Sequence, residues 1–439
     1  MIKKEQLKQI IRDFHLQDKF NVLARDISVP LNTGKIITIM GVRRSGKTSI
    51  LFDTINQLAD QIDKTRILYL NFEDERLELS ADELDLILAA YRELYPEQVL
   101  KDCYLFFDEI QNAEKYAEKW ERFIRRCYDT VTRNIFVTGS NSRLLSSEIA
   151  TSLRGRTLPL EVFPLSFAEY LRFKRIEVDL YSSRQLAFIA NAQYAYLRHG
   201  GFPETLFVDE KHRIPMLQEY FNVLVYRDLA ERYGIQNITA LKYFLKRLVA
   251  STTGQISVHK IYNELKSAGI KVGKNTLYEF LEHAASVYLS IILYRYDTSL
   301  IAREMGEKKV YAIDTGLCDA IEYRFSEDLG KSLENAVFLE LRRSGQALFY
   351  YRSDASECDF LLLDRGRVTG AIQVCYDPGR KETKNRELKG LAEACTRFGL
   401  DKGVVITAED EDQFEWNGLH VTMLPFRAWC QTLNCELSP

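Results

Sequence analysis

The sequence has no excess of charge of either sign: 59 lysines and arginines stand against 62 aspartates and glutamates, a formal net charge of −3. This balance excludes a chain coated in basic charge, so any nucleic acid would have to bind through a local basic patch. No stretch approaches ~18 consecutive uncharged apolar residues, so no membrane-spanning helix is predicted. Internal repeats are also lacking, and the composition, 46% hydrophobic and 28% charged, is typical of globular domains.

Closely spaced cysteine pairs are lacking too. No two of the eight cysteines are separated by only two residues, which argues against a zinc ribbon or a redox dithiol. The opening segment, MIKKEQLKQIIRDF, has the pattern of a charged amphipathic helix and not that of a secretory signal. We therefore expect reduced cysteines in the core of a cytoplasmic protein that does not associate with membranes.

A length of 439 residues predicts about three domains, at roughly 150 residues each. In the first part, 1–162, continuous apolar runs of strand length alternate with helical patterns. These runs are KIITIMG (35–41), RILYLNF (66–72), YLFFDEI (104–110) and NIFVTGS (134–140). Continuous apolar strands separated by helices are typical of a parallel, doubly wound α/β sheet that is buried on both faces.

The pattern changes beyond this sheet. Residues 163–236 are mostly helical, with a sharp turn predicted at the two glycines 200–201. In 237–315, three short helices and two apolar runs follow one another in the order of a winged helix. The last part, 316–439, again alternates helices with apolar runs and predicts a second, smaller α/β domain.

The most specific motif is GVRRSGKT (41–48), which matches G-x-x-x-x-G-K-[ST] and lies between a predicted strand and a predicted helix. Glycines let backbone amides wrap a phosphate, and the helix N-terminus adds partial positive charge. In this pattern Lys47 would reach the β- and γ-phosphates of ATP, and the Thr48 hydroxyl would ligate Mg²⁺. The predicted nucleotide-binding residues are Gly41, Arg43, Arg44, Ser45, Gly46, Lys47, Thr48 and Ser49.

An acidic pair, Asp108 and Glu109, ends the buried run YLFFDEI. Carboxylates at the end of an apolar strand are costly unless a cation is near them. This is the Walker B pattern, in which Asp108 would hold Mg²⁺ and Glu109 would polarise the attacking water. Glu109 therefore favours hydrolysis of the nucleotide over binding alone.

Two further catalytic candidates follow. A polar residue after NIFVTG would touch the γ-phosphate and the attacking water, and we predict Asn141 for this sensor role, with Ser140 as the alternative. Either side chain would equally suit an N-cap of the next helix. In LRGR, Arg156, or else Arg154, is predicted to complete the active site of a neighbouring subunit. A basic surface turn is the plainer interpretation of those arginines.

Taken together, these segments resemble a family of prokaryotic AAA-type P-loop ATPases, the AAA_14/DUF4143 family. The resemblance is carried by GVRRSGKT, FFDEI, VTGSNSRLL, LRGR, PLSFAEYL, GGFPE and YRDLAERYGI, and it covers essentially the whole chain. It implies an ATPase core (1–162), a helical lid (163–236), a winged helix (237–315) and a restriction-endonuclease-like terminal domain (316–439). ATP and Mg²⁺ are the implied cofactors, and no substrate is implied.

The predicted recognition helix of the winged helix has basic residues at its start. Lys271 and Lys274 lie where a winged helix would contact DNA phosphates. Glu279 and Glu282 on the same helix oppose such a contact. Docking of a protein partner therefore stays open beside binding of DNA or RNA.

The terminal domain carries Glu334, Asp359 and Gln373 in the order of a restriction-endonuclease-like site. In that arrangement carboxylates gather Mg²⁺, and a lysine two residues past the third position stabilises the developing charge. Here the third position is the neutral Gln373, and Cys375 stands in place of the lysine. Glu340 is a second helix carboxylate that would substitute for Glu334. We expect a degenerate site without nuclease activity.

The sequence thus predicts an ATPase that uses ATP and Mg²⁺ to drive or switch its C-terminal domains, acting on nucleic acid or on a protein associated with it. ATP-promoted homo-oligomerisation follows from the arginine that would act in a neighbouring subunit. A slow nucleotide-gated binding switch and an ATP-dependent nuclease are the alternatives. Stimulation of turnover by a target would distinguish a motor from a switch, and the missing lysine counts against a nuclease.

Overall fold

The computed structural model describes residues 2–80, 83–115, 120–140, 153, 155–179, 182–321 and 328–437. The chain forms two compact units, Met1–Val162 and Phe163–Pro439. Within the described ranges, no helix combines the length and the apolar character that crossing a membrane requires. Seven cysteines are buried and form no disulfide: Cys103, Cys127, Cys318, Cys358, Cys375, Cys395 and Cys430.

The first unit is built on a five-stranded sheet in which every neighbouring pair is parallel. The strands are β1 (Ile36–Gly41), β2 (Ile67–Asn71), β3 (Tyr104–Asp108), β4 (Ile135–Gly139) and β5 (Thr157–Val162), in the spatial order β2-β3-β4-β1-β5. Four of them are the predicted apolar runs. The strand β4 lies between β1, which precedes the predicted P-loop, and β3, which ends at the acidic pair.

Helices cover both faces of this sheet. They are α1 (Ile2–Leu16), α2 (Lys47–Ala59), α3 (Asp85–Leu94) and α4 (Trp120–Thr130). On one face Leu51 of α2 packs in a buried cluster with Ile37 and Phe106. On the other face Phe107 meets Phe123 of α4, with ring centroids 6.1 Å apart. Adjacent strand residues point to opposite faces, which explains why these runs are continuously apolar.

The second unit begins with the helices Phe167–Phe173, Ser183–His199 and Glu210–Val223, followed by a π-helical segment, Leu224–Glu231. Three helices come next: Ile238–Ala250, Val258–Ser267 and Lys274–Ser286. An antiparallel pair, β6 (Ser290–Tyr294) and β7 (Lys308–Ala312), follows them, with a short helix, Leu300–Met305, between the two strands. Three helices and a two-stranded sheet thus occur in the order that the sequence predicts.

The remainder of the second unit is a mixed six-stranded sheet, which completes an α/β fold. Its strands are β8 (Ala347–Arg352), β9 (Glu357–Asp364), β10 (Arg367–Val374), β11 (Lys402–Thr407), β12 (Asp412–Trp416) and β13 (Leu419–Pro425). Their spatial order is β12-β13-β11-β10-β9-β8. The helices are Thr315–Ile321, Leu329–Arg343, Lys381–Phe398 and Phe426–Leu437. Leu361 of β9 packs with Leu391 of the helix Lys381–Phe398, and the neighbouring Phe360 faces Phe338 of the helix Leu329–Arg343.

The glycine pair at 200–201 has a structural reason within this unit. Gly201 N donates to Asp314 Oδ2 at 2.6 Å, and Gly200 has a φ of 76°. A Cβ added at Gly200 would lie 2.1 Å from Asp314 Oδ1, so only glycine fits there. Burial raises the pKa of Asp314 to about 6, although backbone N–H groups stabilise its charged form.

Candidate nucleotide-binding site

The loop Gly41–Thr48 connects β1 directly to α2 at the carboxyl edge of the sheet. Gly46 has a φ of 94° and Arg44 a φ of 68°, so the loop turns through two left-handed residues before the helix begins. A Cβ added at Gly41 would lie 2.0 Å from Val162 O, because β5 ends beside it. Glycine is therefore required at 41 by close packing and at 46 by backbone conformation.

The Lys47 side chain, 3% exposed, lies inside this loop. Its ammonium group is 3.2 Å from Gly41 O and 3.1 Å from Val42 O, and it is 3.3 Å from Glu109 Oε1. The loop thus holds a buried cation among carbonyl oxygens and one carboxylate. Such a cation is poised to exchange its present partners for the oxygens of a phosphate.

Asp108 is fully buried at the end of β3, where three hydroxyl groups surround it. Thr48 Oγ1 donates to Asp108 Oδ2 at 2.8 Å, Tyr69 OH donates to the same oxygen at 3.1 Å, and Thr138 Oγ1 donates to Oδ1. Burial raises the pKa of this carboxyl group above its usual range, and the charge of Glu109 adds to the effect. A divalent cation held by Thr48 and Asp108 would favour the charged form, so these oxygen donors fit Mg²⁺.

Glu109 follows with a φ of 49°, a left-handed conformation that is uncommon outside glycine and often found at functional sites. Burial alone would raise its pKa, but Lys47 and Arg43 outweigh burial and hold the pKa below the usual range. Gln111 Nε2 donates to Glu109 Oε2, and Glu109 N donates to Thr138 Oγ1 at 2.8 Å. An ionised, firmly held carboxylate beside the P-loop is suited to polarise water.

Three residues that the motifs do not predict hold the two acidic residues in place: Gln111, Thr138 and Tyr69. Gln111 lies two positions after Glu109, and Thr138 lies beside Asp108 across the strand pair β3–β4. Of the two sensor candidates, Ser140 is buried, and its Oγ is 3.2 Å from Gln111 Nε2. Asn141 lies outside the described residues.

The other predicted loop residues have different surroundings. Ser45 is fully buried, and its Oγ has no hydrogen-bond partner among the described residues. Arg43 Nη1 forms an ion pair with Glu73 Oε1 at 2.9 Å. Arg44 is exposed, and Ser49 is half-buried in the first turn of α2. The orphaned Ser45 hydroxyl and the buried Lys47 together fit a phosphate group.

The predicted trans arginine lies at the opposite edge of the sheet. Ile36 N donates to Arg156 O at 2.8 Å, which places Arg156 beside the first residue of β1, whereas the P-loop follows the last. The six residues of β1 therefore place the backbone of Arg156 roughly 16 Å from the P-loop. Arg156 Nη2 pairs with Asp129 Oδ1 at 2.9 Å, and its guanidinium lies over the Tyr128 ring. Arg156 therefore cannot reach the phosphate site of its own chain, and Arg154 lies outside the described residues.

The candidate residues of the terminal domain fall into two groups. Glu334, Asp359 and Gln373 line one polar pocket of about 450 Å³. Glu340 does not join them: six positions after Glu334 on the same helix it faces another direction, where Oε1 accepts from Phe167 N at 2.9 Å. The suggestion that Glu340 substitutes for Glu334 is therefore wrong. Burial raises the pKa of Cys375 to about 12, so its thiol is neutral.

The predicted DNA-facing lysines lie around a shallow depression between two helices. It is lined by Lys266 and Lys271 together with Tyr262 and the glycines 269 and 273. Lys274 begins the helix Lys274–Ser286, and its ammonium group is 5.1 Å from the centre of the Tyr262 ring. The three lysines are exposed and close in sequence, so they form a local basic patch.

Three family models match the chain. An AAA domain model (AAA_14) matches residues 33–171, a domain of unknown function (DUF8612) matches 191–328, and a second such domain (DUF4143) matches 329–429. The match to the AAA domain model therefore contains the P-loop, Asp108 and Glu109. Among solved structures, the chain resembles the Walker-type ATPase PABY2304 of Pyrococcus abyssi, with 14% identity, a TM-score of 0.44 and coverage of 73% of this chain and 94% of that one. Cdc6p of Pyrobaculum aerophilum matches with 14% identity, a TM-score of 0.26 and coverage of 77% and 94%.

Curated relatives match over nearly the full length. The uncharacterized protein MJ1544 of Methanocaldococcus jannaschii is 37% identical over 444 residues, which span 98% of this chain and 96% of the relative. An uncharacterized protein of Haemophilus influenzae is 27% identical over 391 residues, or 89% and 93% of the two chains. On the AAA and DUF4143 matches and this full-length relationship, the chain belongs to the AAA_14/DUF4143 family of AAA-type P-loop ATPases.

Proposed function

We propose that this protein is an ATP hydrolase that works with Mg²⁺. The observation that carries the proposal is the meeting of four side chains at the carboxyl edge of β1 and β3. Thr48 Oγ1 lies 2.8 Å from Asp108 Oδ2, and Lys47 Nζ lies 3.3 Å from Glu109 Oε1. One edge of the sheet thus offers a hydroxyl and a carboxylate for a metal, an ammonium group for a phosphate, and a second carboxylate for water.

Each residue then has one task. The backbone of Gly41–Thr48 and the Lys47 ammonium bind the phosphates, while Thr48 and Asp108 hold the Mg²⁺, which neutralises phosphate charge when bound. Glu109 accepts a hydrogen bond from the attacking water and polarises it. Asn141, or else Ser140, touches the γ-phosphate and the same water. Gln111 fixes the orientation of the Glu109 carboxylate through its Nε2 hydrogen bond.

We also propose that hydrolysis needs a neighbouring subunit. Arg156 is too far from its own P-loop to act there, so it would contact the γ-phosphate only in a second copy of the chain. Arg154 is the alternative in the same loop. ATP, bound between the two copies, would then promote their association.

The target we propose is nucleic acid or a protein bound to it. The exposed Lys266, Lys271 and Lys274 form a local basic patch that would neutralise backbone phosphates. This patch belongs to the proposed winged helix (237–315), which follows a helical lid (163–236) and precedes the terminal domain (316–439). Nucleotide-dependent movement of these parts would couple the ATPase to its target.

A slow nucleotide-gated switch is the second candidate. It is favoured by the direct pairing of Lys47 with Glu109, since each of these groups must leave the other before it meets phosphate or water. ATPase assays with single-stranded DNA, double-stranded DNA, RNA and no polymer distinguish the two functions. Strong stimulation by one polymer supports a motor, and uniformly slow turnover with tight nucleotide binding supports a switch. An ATP-dependent nuclease is disfavoured by Gln373 and Cys375.

A further inference from the structure

The polar pocket of the terminal sheet contains a lysine that comes from outside that sheet. Lys309 lies on β7, the second strand of the two-stranded sheet, 25 residues before Glu334. Its side chain is 4% exposed. It extends among carboxylates of β9 and of the helix Leu329–Arg343, which carry the side chains predicted to bind Mg²⁺ in a nuclease site.

Three carboxylates surround the ammonium group of Lys309. Its Nζ lies 2.6 Å from Glu357 Oε1, 3.1 Å from Asp359 Oδ1 and 3.3 Å from Glu334 Oε1. Acidic groups at hydrogen-bond distance favour the charged form of a lysine, and the three N–H donors of Lys309 match these three acceptors in number.

Further hydrogen bonds fix two of these acidic side chains. Asp359 Oδ2 accepts from Val374 N at 3.0 Å, and Glu334 Oε1, the oxygen that also lies beside Lys309, accepts from Tyr311 OH at 2.7 Å. Gln373 accepts from Asp359 N and donates to Glu387 Oε2 at 2.6 Å. Among the residues that the structure describes, no group of three or more His, Cys, Asp or Glu side chains is arranged to hold a metal. Because an ammonium group lies among its acidic side chains, the cluster does not fit the Mg²⁺ site of a nuclease.

We propose that the Lys309 ammonium group takes the place of the metal ion, so that the carboxylate cluster is a closed ion-pair centre that fastens β7 to the terminal sheet. One buried monovalent cation, held by Glu334, Glu357 and Asp359, replaces a divalent one. The strand β7 and the terminal sheet then move together. Since the removal of one partner from a buried ion pair leaves uncompensated charge, this connection is costly to break.

The competing role for Lys309 on the same geometry is that of the catalytic ammonium group missing from position 375. The two roles make opposite demands on metal binding. A catalytic lysine acts beside a metal ion held by Glu334 and Asp359. A structural lysine excludes that ion, because its Nζ is already within hydrogen-bond distance of the oxygens that the ion would need.

Calorimetric titration of the full-length, nucleotide-free protein with Mn²⁺ distinguishes them. We expect the wild type and Asp359→Asn to bind the same number of Mn²⁺ ions, because the cluster holds none. Lys309→Met should bind one ion more than the wild type, and Lys309→Met combined with Asp359→Asn should lose that ion. Mn²⁺ bound by the wild type and lost in Asp359→Asn overturns the proposal, as does a Lys309→Met variant that gains no site.

Thermal unfolding gives a second readout. Lys309→Met should lower the unfolding temperature by about 6 °C or more, and Mn²⁺ should restore part of the loss. Lys308→Met is the matched control, because Lys308 lies next in the strand, is more exposed and pairs only loosely with Glu304, at 4.0 Å. It should melt close to the wild type. Equal unfolding temperatures for the two variants contradict the proposal. If Lys309→Met does not fold, the comparison of the wild type with Asp359→Asn still decides.

Discussion

Lys47 and Glu109 form a buried ion pair, with 3.3 Å between Nζ and Oε1. The cation that we propose to bind phosphate and the carboxylate that we propose to polarise water therefore neutralise each other. A γ-phosphate would compete with Glu109 for the ammonium group, and the freed carboxylate would then turn to water. In the proposed mechanism this exchange of partners would make Glu109 available to water only when nucleotide is bound, and the roles of Lys47 and Glu109 can be tested separately.

Lys47→Ala should weaken ATP binding at least about 10-fold, since a hydrogen bond to a charged group is worth roughly 1.5–3 kcal/mol. Calorimetry with ATP and Mg²⁺ measures the affinity. Lys19→Ala, which removes an exposed lysine paired with Asp60, is the control and should bind normally. Unchanged affinity in Lys47→Ala would remove the nucleotide site from this loop.

Glu109→Gln should keep ATP affinity and lower turnover by about 10²–10⁴-fold, the usual contribution of a general base. The amide has the shape of the carboxylate but does not polarise water in the same way. Steady-state phosphate release measures turnover, and Glu97→Gln, at an exposed position beyond α3, is the control. Hydrolysis at the wild-type rate in Glu109→Gln would show that another group activates the water.

Gln111→Ala should lower kcat about 10-fold or more with little change in KM, because one hydrogen bond to the charged Glu109 is lost. Gln111→Glu would place a like charge beside Glu109 and should raise its pKa, which shifts the acid limb of the kcat profile to higher pH. A pH profile of both variants tests this. An identical profile in all three proteins would mean that Gln111 only packs.

Arg156→Ala should lower turnover by about 10³-fold or more and leave nucleotide affinity nearly intact, if Arg156 acts in a neighbouring subunit. Asp129→Asn, which removes the present partner of Arg156, should keep its activity. Sedimentation with and without a slowly hydrolysed ATP analogue follows association. A strict monomer whose turnover does not depend on its concentration or on Arg156 contradicts the expectation.

The terminal domain should not cut DNA. Cleavage needs a bound metal and a positive group near the developing charge. Gln373 adds no charge and the Cys375 thiol is neutral, while the Lys309 ammonium group lies among the carboxylates that a metal would need. Plasmid and single-stranded DNA are incubated with the protein, ATP, and Mg²⁺ or Mn²⁺. Cleavage that disappears in Asp359→Ala would revive the ATP-dependent nuclease.

The buried strands were predictable because their apolar runs are continuous. The strand β5 was not, since Pro159 interrupts its pattern and a proline in a strand usually argues against one. The structure tolerates Pro159 because β5 is at the edge of the sheet and pairs only with β1. Edge position is a property of topology, which the local pattern does not contain.

The same limit applies to the sites. Lys47, Thr48 and Asp108 follow from motifs, because each motif fixes a short segment whose geometry is local. Lys309 could not be found this way, since 50 residues separate it from Asp359 and its own neighbours form an ordinary apolar strand pattern. Gln111 was within reach, because its spacing from Glu109 is fixed by the chain.

The lysine on β7 also bears on how genes of this family can exchange parts. The matched DUF4143 segment starts at residue 329, after Lys309 and Asp314. A recombination event at that border would transfer Glu334, Glu357 and Asp359 into a new protein without their counter-ion. The recipient would have to supply a lysine, or a metal, at the same place. A gene divided at the border between the two matched segments would separate the lysine from its acidic partners. We therefore expect residue 309 to vary among relatives only together with Glu334, Glu357 and Asp359.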